Sequence, residues 1–217
     1  MKKRVLQFIG SFHQGGTERQ AVSLMRDLAD DGRFEVFAAT LNREGVLLAE
    51  AEAIGFTAIP EYRLTSFFNA NFIRRVRECA RYLRDNRIDI VHTHDFYTNV
   101  FGMAAAALAG AEGKIASKRE TFEMRSKAQE IVEMMAFGRA GAILVNSEAI
   151  RDLLIARSVP TEKIHVIYNG LDVGRFGGRS PDPAAFGLPN GRRFVTIVAN
   201  LRHRVKNLPM LLRTASK

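Results

Sequence analysis

Cysteine is almost missing from this chain: Cys79 stands alone among 217 residues, which excludes an internal disulfide framework and favours a reducing compartment. Its place on a helix face makes it a small core residue. Long apolar runs are lacking as well. The stretch 103–109 is Ala-rich but far shorter than a membrane span. The apolar run behind the basic Met1-Lys2-Lys3-Arg4 is interrupted by Gln7 and stopped by Gly10, too short for a signal peptide. The expectation is a cytoplasmic protein. No internal repeat is present. What the chain does have is a hydrophobic content of 47%, ample for a core, and a formal net charge of +9, which favours anionic partners without choosing among nucleic acid, anionic lipid and sugar nucleotides.

The chain is organised around residues 3–28. Val5, Leu6, Phe8 and Ile9 predict a central strand buried on both faces, Gly15 and Gly16 a tight turn, and Thr17-Glu18-Arg19-Gln20 a capping box that opens a helix with Ala21, Leu24, Met25 and Leu28 on its apolar face. Paired glycines at a helix start let a phosphate or carboxylate approach unpaired backbone amides. The alternative is a connection that merely needs positive φ.

Further on, periodicity predicts strands at 34–40, 57–60, 88–91, 114–117, 142–145 and 164–168. Helices are predicted at 45–54, 72–86, 97–108, 126–137 and from Ser147 to about residue 157, the last N-capped by Ser147. Strands alternating with helices imply a parallel sheet of about seven strands, covered on both faces, with a ligand crevice beyond the strands' carboxyl ends. The residues that follow the strands are then the candidate site: Gly15 and Gly16, His92 to Asp95, Arg119 and Glu120, Asn146 and Ser147, Asn169 and Gly170.

From about residue 173 the texture changes. A domain over 1–172 gives way to a Gly- and Pro-rich linker over 173–192, then to an apolar strand at 193–199, a polar loop, and a helix N-capped by Asn207 with Pro209 in its first turn. One βα unit cannot bury its own faces, so 193–217 reads as the start of a second domain of roughly 100–200 residues.

The combination of Gly15-Gly16-Thr17-Glu18-Arg19, Val91-His92-Thr93-His94, Val145-Asn146-Ser147, the run 166–172 from Val166 to Asp172, and Ala199-Asn200-Leu201-Arg202 with Lys206-Asn207 resembles retaining glycosyltransferases of the GT-B type, family 4. The resemblance implies two Rossmann-like, doubly wound α/β domains across a cleft, the first on the acceptor side and the second holding most of the nucleotide-sugar site. It implies that Gly15 and Gly16 pack against the donor diphosphate and that His94 lies against the donor sugar as the catalytic candidate. Lys206 matches one member of a basic pair on the departing diphosphate. Arg202 or Arg204 stands in for the other, whose usual place holds Asn200. Thr17, Asp95, Arg119, Glu120, Asn146, Ser147 and Asn169 fall on the acceptor or cleft side. Glycosyl transfer develops charge on phosphate oxygens and on an oxocarbenium-like sugar, and converging amides and cations meet that need without a metal or cofactor.

Plainer readings stand beside these. His92-Thr93-His94-Asp95 has metal-like character, but no third ligand spacing accompanies it, and His92 is preferred as a hydrogen-bonded residue under the loop. Arg119 and Glu120 either bind acceptor or take part in an intramolecular ion pair. Phe67, Phe68 and Phe72 beside Arg74, Arg75 and Arg77 suggest peripheral contact with an anionic inner-face membrane, consistent with a carbohydrate or lipid-linked acceptor, against an ordinary core helix with a solvated basic face. A nicotinamide-dependent dehydrogenase lacks its Gly-x-Gly-x-x-Gly and ribose-binding acid here. A nucleic-acid binder lacks a motif, and a non-catalytic acceptor- or partner-binding module of the same fold remains an alternative.

Overall fold

The computed structural model describes residues 2–67, 69–121, 125–171, 173–176, 178, 182–189, 191–198 and 207–215. It divides into two compact units, Met1–Leu171 and Asp172–Lys217.

In the first unit the order is β1 (Lys3–Ile9), α1 (Gly16–Asp31), β2 (Phe34–Thr40), α2 (Leu47–Ala53), α3 (Ala70–Asp85), β3 (Ile90–Thr93), α4 (Phe96–Ala109), β4 (Gly113–Lys118), α5 (Lys127–Arg139), β5 (Ala142–Val145), α6 (Glu148–Ile155) and β6 (Ile164–Val166). The sheet runs β2-β1-β3-β4-β5-β6 with every pairing parallel. It therefore has six strands among the described residues rather than the seven expected. Residues 57–60 do not form a strand, because only an isolated bridge from Thr40 to Glu61 reaches that segment. A lone bridge offers too few ladder bonds to fix extended backbone.

Each face of the sheet is sealed by its own core. Ile9, Ala38 and Phe12 pack with Ala21, Val22 and Met25 of α1 and Leu47 and Ala51 of α2. Leu6, Phe8 and Val91 pack with Val76, Cys79 and Leu83 of α3 and Phe101 and Met103 of α4. Phe8, Tyr62 and Phe101 form an aromatic triangle with centroids 5.4–6.0 Å apart. Phe67 and Phe72 also turn inward, toward Tyr97 and Phe101, at 5.5 and 5.9 Å. These rings are committed to packing, while Arg74, Arg77, Arg81 and Arg84 are exposed. Phe68 lies outside the described residues. No helix among the described residues is long and apolar enough to cross a membrane.

The second unit contains short 3-10 turns at Val173–Phe176 and Pro183–Phe186 and a helix, α7 (Leu208–Ala215). Residues 193–198 are not a strand, in contrast to the sequence pattern, and Val195 and Val198 are 85% and 95% exposed. An apolar run becomes a strand only when another strand takes up its backbone groups, and none does so here among the described residues.

Candidate functional site

β1 lies inside the sheet, with β2 paired on one side of it and β3 on the other. The connections therefore diverge at the carboxyl ends of β1 and β3, the place where open α/β sheets leave a crevice. A cleft of about 550 Å³ opens there. Its lining includes Gly10 and Ser11 after β1, Thr17 and Glu18 of α1, His94 to Tyr97 after β3, Lys118 to Glu120 at the end of β4, and Arg125 and Glu133.

The start of α1 differs from the expected capping box. The helix begins two residues earlier, at Gly16, with Gly15 as an extended N-cap (φ −131°) and no side-chain cap. Thr17 is thus already inside the helix, and the third position is held by Glu18 instead of Gln20. The turn needs no positive φ, so conformational freedom does not explain the glycines. At Gly15 the Glu18 carboxylate occupies the space a Cβ would take, though as the end of a flexible side chain it can move aside. At Gly16 a Cβ would meet nothing within 4 Å. Among the described residues the amides of Gly16, Thr17 and Glu18 have no acceptor, so the helix start presents unpaired donors beside the cleft. Gln20 is used elsewhere: Nε2 donates to the Gly170 carbonyl at 2.7 Å, and the Gly170 amide donates to Oε1 at 2.9 Å.

β3 runs to Thr93, so His92 belongs to the strand and only His94 reaches the loop. His92 Nε2 shares a 2.8 Å hydrogen bond with Ser117 Oγ, and burial, aided by the Arg119 charge, pushes its pKa down to about 3. His94 is 1% exposed, and its Nε2 lies 2.7 Å from Gln7 Oε1. Burial first, then His92 and Arg119, hold its pKa well below the ordinary histidine range. With the Nε2 proton donated to Gln7, His94 is a neutral imidazole whose Nδ1 lone pair has no partner. The two rings lie 4.2 Å apart, and no group of three His, Cys, Asp or Glu side chains able to hold a metal converges among the described residues.

Asp95 is engaged as the N-cap of α4, accepting from the Thr98 amide at 2.9 Å while Thr98 Oγ1 accepts from the Asp95 amide at 3.0 Å. Its Oδ2 fills the space above Gly10. Burial, with the Glu18 charge adding to it, pushes the carboxyl up to about 6.

Arg119 and Glu120 do not pair with each other. Glu120 pairs with Arg125, whose guanidinium lies 4.4 Å over the Phe96 ring. Arg119 Nη1 donates to Asn169 Oδ1 at 2.6 Å, and desolvation lowers its pKa. Asn169 therefore meets the site through Arg119. Asn146 and Ser147 are not part of the cleft lining; the Ser147 hydroxyl caps α6 through the Ile150 amide at 3.3 Å. Arg202, Arg204 and Lys206 lie outside the described residues.

Sequence reasoning missed the floor of the cleft. Lys118 Nζ and Glu133 Oε2 form a 2.7 Å ion pair with side chains 1% and 0% exposed. Nothing local links a strand-end lysine to a glutamate on the following helix; the only hint was a charged residue at the end of a strand otherwise read as buried. Buried side-chain atoms without a partner concentrate here too. Asn42 Oδ1, His94 Nδ1, Arg119 Nε, Arg125 Nε and Glu133 Oε1 all belong to cleft-lining residues. Such orphans are rare in native interiors, where ordered water, an ion or a ligand satisfies them.

The fold agrees with what the chain is similar to. In fold it is similar to Anabaena HepE in complex with UDP and glucose (18% identity, TM-score 0.66, covering 79% of this chain and 46% of that one). A glycosyltransferase from Rickettsia africae aligns at 15% identity and TM-score 0.68, covering 88% and 51%. The lipopolysaccharide outer core galactosyltransferase WaaB aligns at 16% and 0.63, covering 78% and 46%. The chain thus spans about half the length of these structures. No curated protein sequence is a significant match. Residues 14–175 match the model of Glycosyltransferase Family 4, and the chain belongs to that family.

Proposed function

We propose that the protein transfers a sugar, with retention of configuration, from a nucleotide-diphosphate donor to a carbohydrate or lipid-linked acceptor, and that the unit Met1–Leu171 supplies the acceptor side of the site. The observation that carries this reading is the meeting, in one cleft at the strand switch point, of unpaired α1 amides with a buried neutral His94. Amides at a helix start stabilise a phosphate without any side chain having to move. Gly16, with open space above it, lets the diphosphate reach the backbone.

His94 in this reading orients substrate instead of shuttling protons. Its pKa is held far below neutrality, so it neither carries a proton to give nor binds one readily. Its Nδ1 accepts a hydrogen bond from a hydroxyl of the donor sugar, which fixes the anomeric carbon relative to the acceptor. Arg202, Arg204 and Lys206 are the proposed cations on the departing diphosphate. The complexes of HepE with UDP and with UDP-glucose support a uridine diphosphate donor.

The test is a transfer assay with uridine, guanosine and adenosine diphosphate sugars on the 217-residue chain and on a chain extended past Lys217. The expected result is turnover with a retained anomeric configuration in the extended chain, and weak donor binding without turnover in residues 1–217. Inversion at the anomeric carbon, or robust turnover by residues 1–217 alone, overturns this reading.

A further inference from the structure

The charges around the cleft are nearly all accounted for within the protein. Glu133 is matched by Lys118 and Glu120 by Arg125. Glu18 lies in the first turn of α1 and Asp95 caps α4, where the helix N-termini compensate them. Arg63 pairs with Glu44 and Glu61. Arg119 is the exception. Among the described residues no carboxylate lies within ion-pair distance of it, its guanidinium donates to the neutral Asn169, and its Nε is buried without an acceptor.

A partly buried guanidinium without a counter-ion carries a desolvation cost that a bound anion removes, and its fork geometry suits carboxylate and phosphate. The same cleft is lined by the buried Phe96 ring and by Tyr97, which is 44% exposed, both under the Arg125 guanidinium. A half-exposed aromatic ring and a cation without a counter-ion in one cleft suit a sugar ring that bears a negative group.

Resting on the acceptor-side reading above, we infer that the acceptor is an anionic saccharide, carrying a carboxylate or a phosphate, and that Arg119 is the residue that selects it. Arg125, held by Glu120 and Phe96, keeps the aromatic rings in place and leaves Arg119 to bind.

The experiment titrates the 217-residue chain, followed by NMR shifts, with methyl glucuronide, glucose 6-phosphate, methyl glucoside and UDP. Both charged sugars are expected to bind at least about tenfold tighter than the neutral one, which is what one charge-assisted contact is worth. Arg119→Gln should bring them down to the neutral level, and Arg119→Lys should keep part of the preference. The better of the two charged sugars identifies carboxylate or phosphate as the group. Equal binding of charged and neutral sugars overturns the inference while leaving the acceptor cleft in place. Displacement of the charged sugars by an equal concentration of UDP overturns it by moving Arg119 to the donor side. Absence of binding by every sugar overturns it as well, and the donor assay on the extended chain tests the transferase reading separately.

Discussion

Gln20 and Gly170, 150 positions apart, are joined by a reciprocal pair of hydrogen bonds between one side-chain amide and one peptide unit. The loop that leaves β6 is thereby fastened to the first helix, next to the Arg119–Asn169 bond that holds the same loop from β4. Gln20→Ala should lower stability by about 1 kcal/mol, the net worth of exposed hydrogen bonds. Amide exchange at Gly170 should accelerate while exchange in β1 stays unchanged; equal protection at Gly170 in both proteins would refute the clasp.

The Lys118–Glu133 pair is the clearest stability test. Removing one partner leaves the other charge buried, so Lys118→Met or Glu133→Leu alone should cost about 3–5 kcal/mol. The double variant should recover most of that loss, since an apolar pair of similar volume carries no buried charge. Urea denaturation of the two single variants and the double variant measures the cycle, and additive losses would contradict a direct pair.

Acid stability should reflect two groups of opposite sign. His92 falls from 6.5 to about 3 on folding, so its contribution is present above pH 6.5 and is lost as the pH drops toward 3. Asp95 rises from 3.8 to about 6, so its contribution is present below pH 3.8 and is lost as the pH climbs through 6. Asp95→Asn should therefore make the loss of stability on acidification from pH 6 to 4 steeper than in the parent. Denaturant midpoints across that range check the sign.

The two glycines at the start of α1 should behave differently. Gly16→Ala meets open space in a helical position and should stabilise the fold by up to about 1 kcal/mol. It should also weaken UDP binding, because the added methyl stands between ligand and backbone. Gly15→Ala should change stability by no more than a few tenths of a kcal/mol, because the Glu18 carboxylate, at the end of a flexible side chain, moves aside from the added methyl. Calorimetry for UDP together with thermal melts of the set separates the two roles.

Strands that are continuous apolar runs ended by turn residues were legible in the sequence, and the bounds predicted for β2 and β5 are those observed. The 57–60 segment misled because β-type composition says nothing about whether a neighbouring strand exists to pair with it. The convergence of Thr17, His94, Asp95, Arg119 and Glu120 on one cleft followed from strand order, since each sits just beyond a strand or at the helix after it. Partner choice did not follow. Whether Arg119 meets Glu120 or Asn169, and whether Lys118 meets Glu133, depends on how loops return over the sheet edge, which no local spacing encodes. The capping box failed for a smaller reason: a helix start displaced by two residues gives every side chain in the first turn a new role.

The position of β1 between two partners also shapes how the chain folds. Its β2 edge is covered as soon as residue 40 is available, but its other edge waits for β3, with residues 41–89 in between. Until Ile90–Thr93 docks, a strand whose last five residues are buried in the folded domain offers one open ladder, an invitation to pairing between nascent chains. The crevice at the carboxyl ends of β1 and β3 therefore cannot form before that docking, and mispairing at the β1 edge is the hazard that closure of this long interval creates.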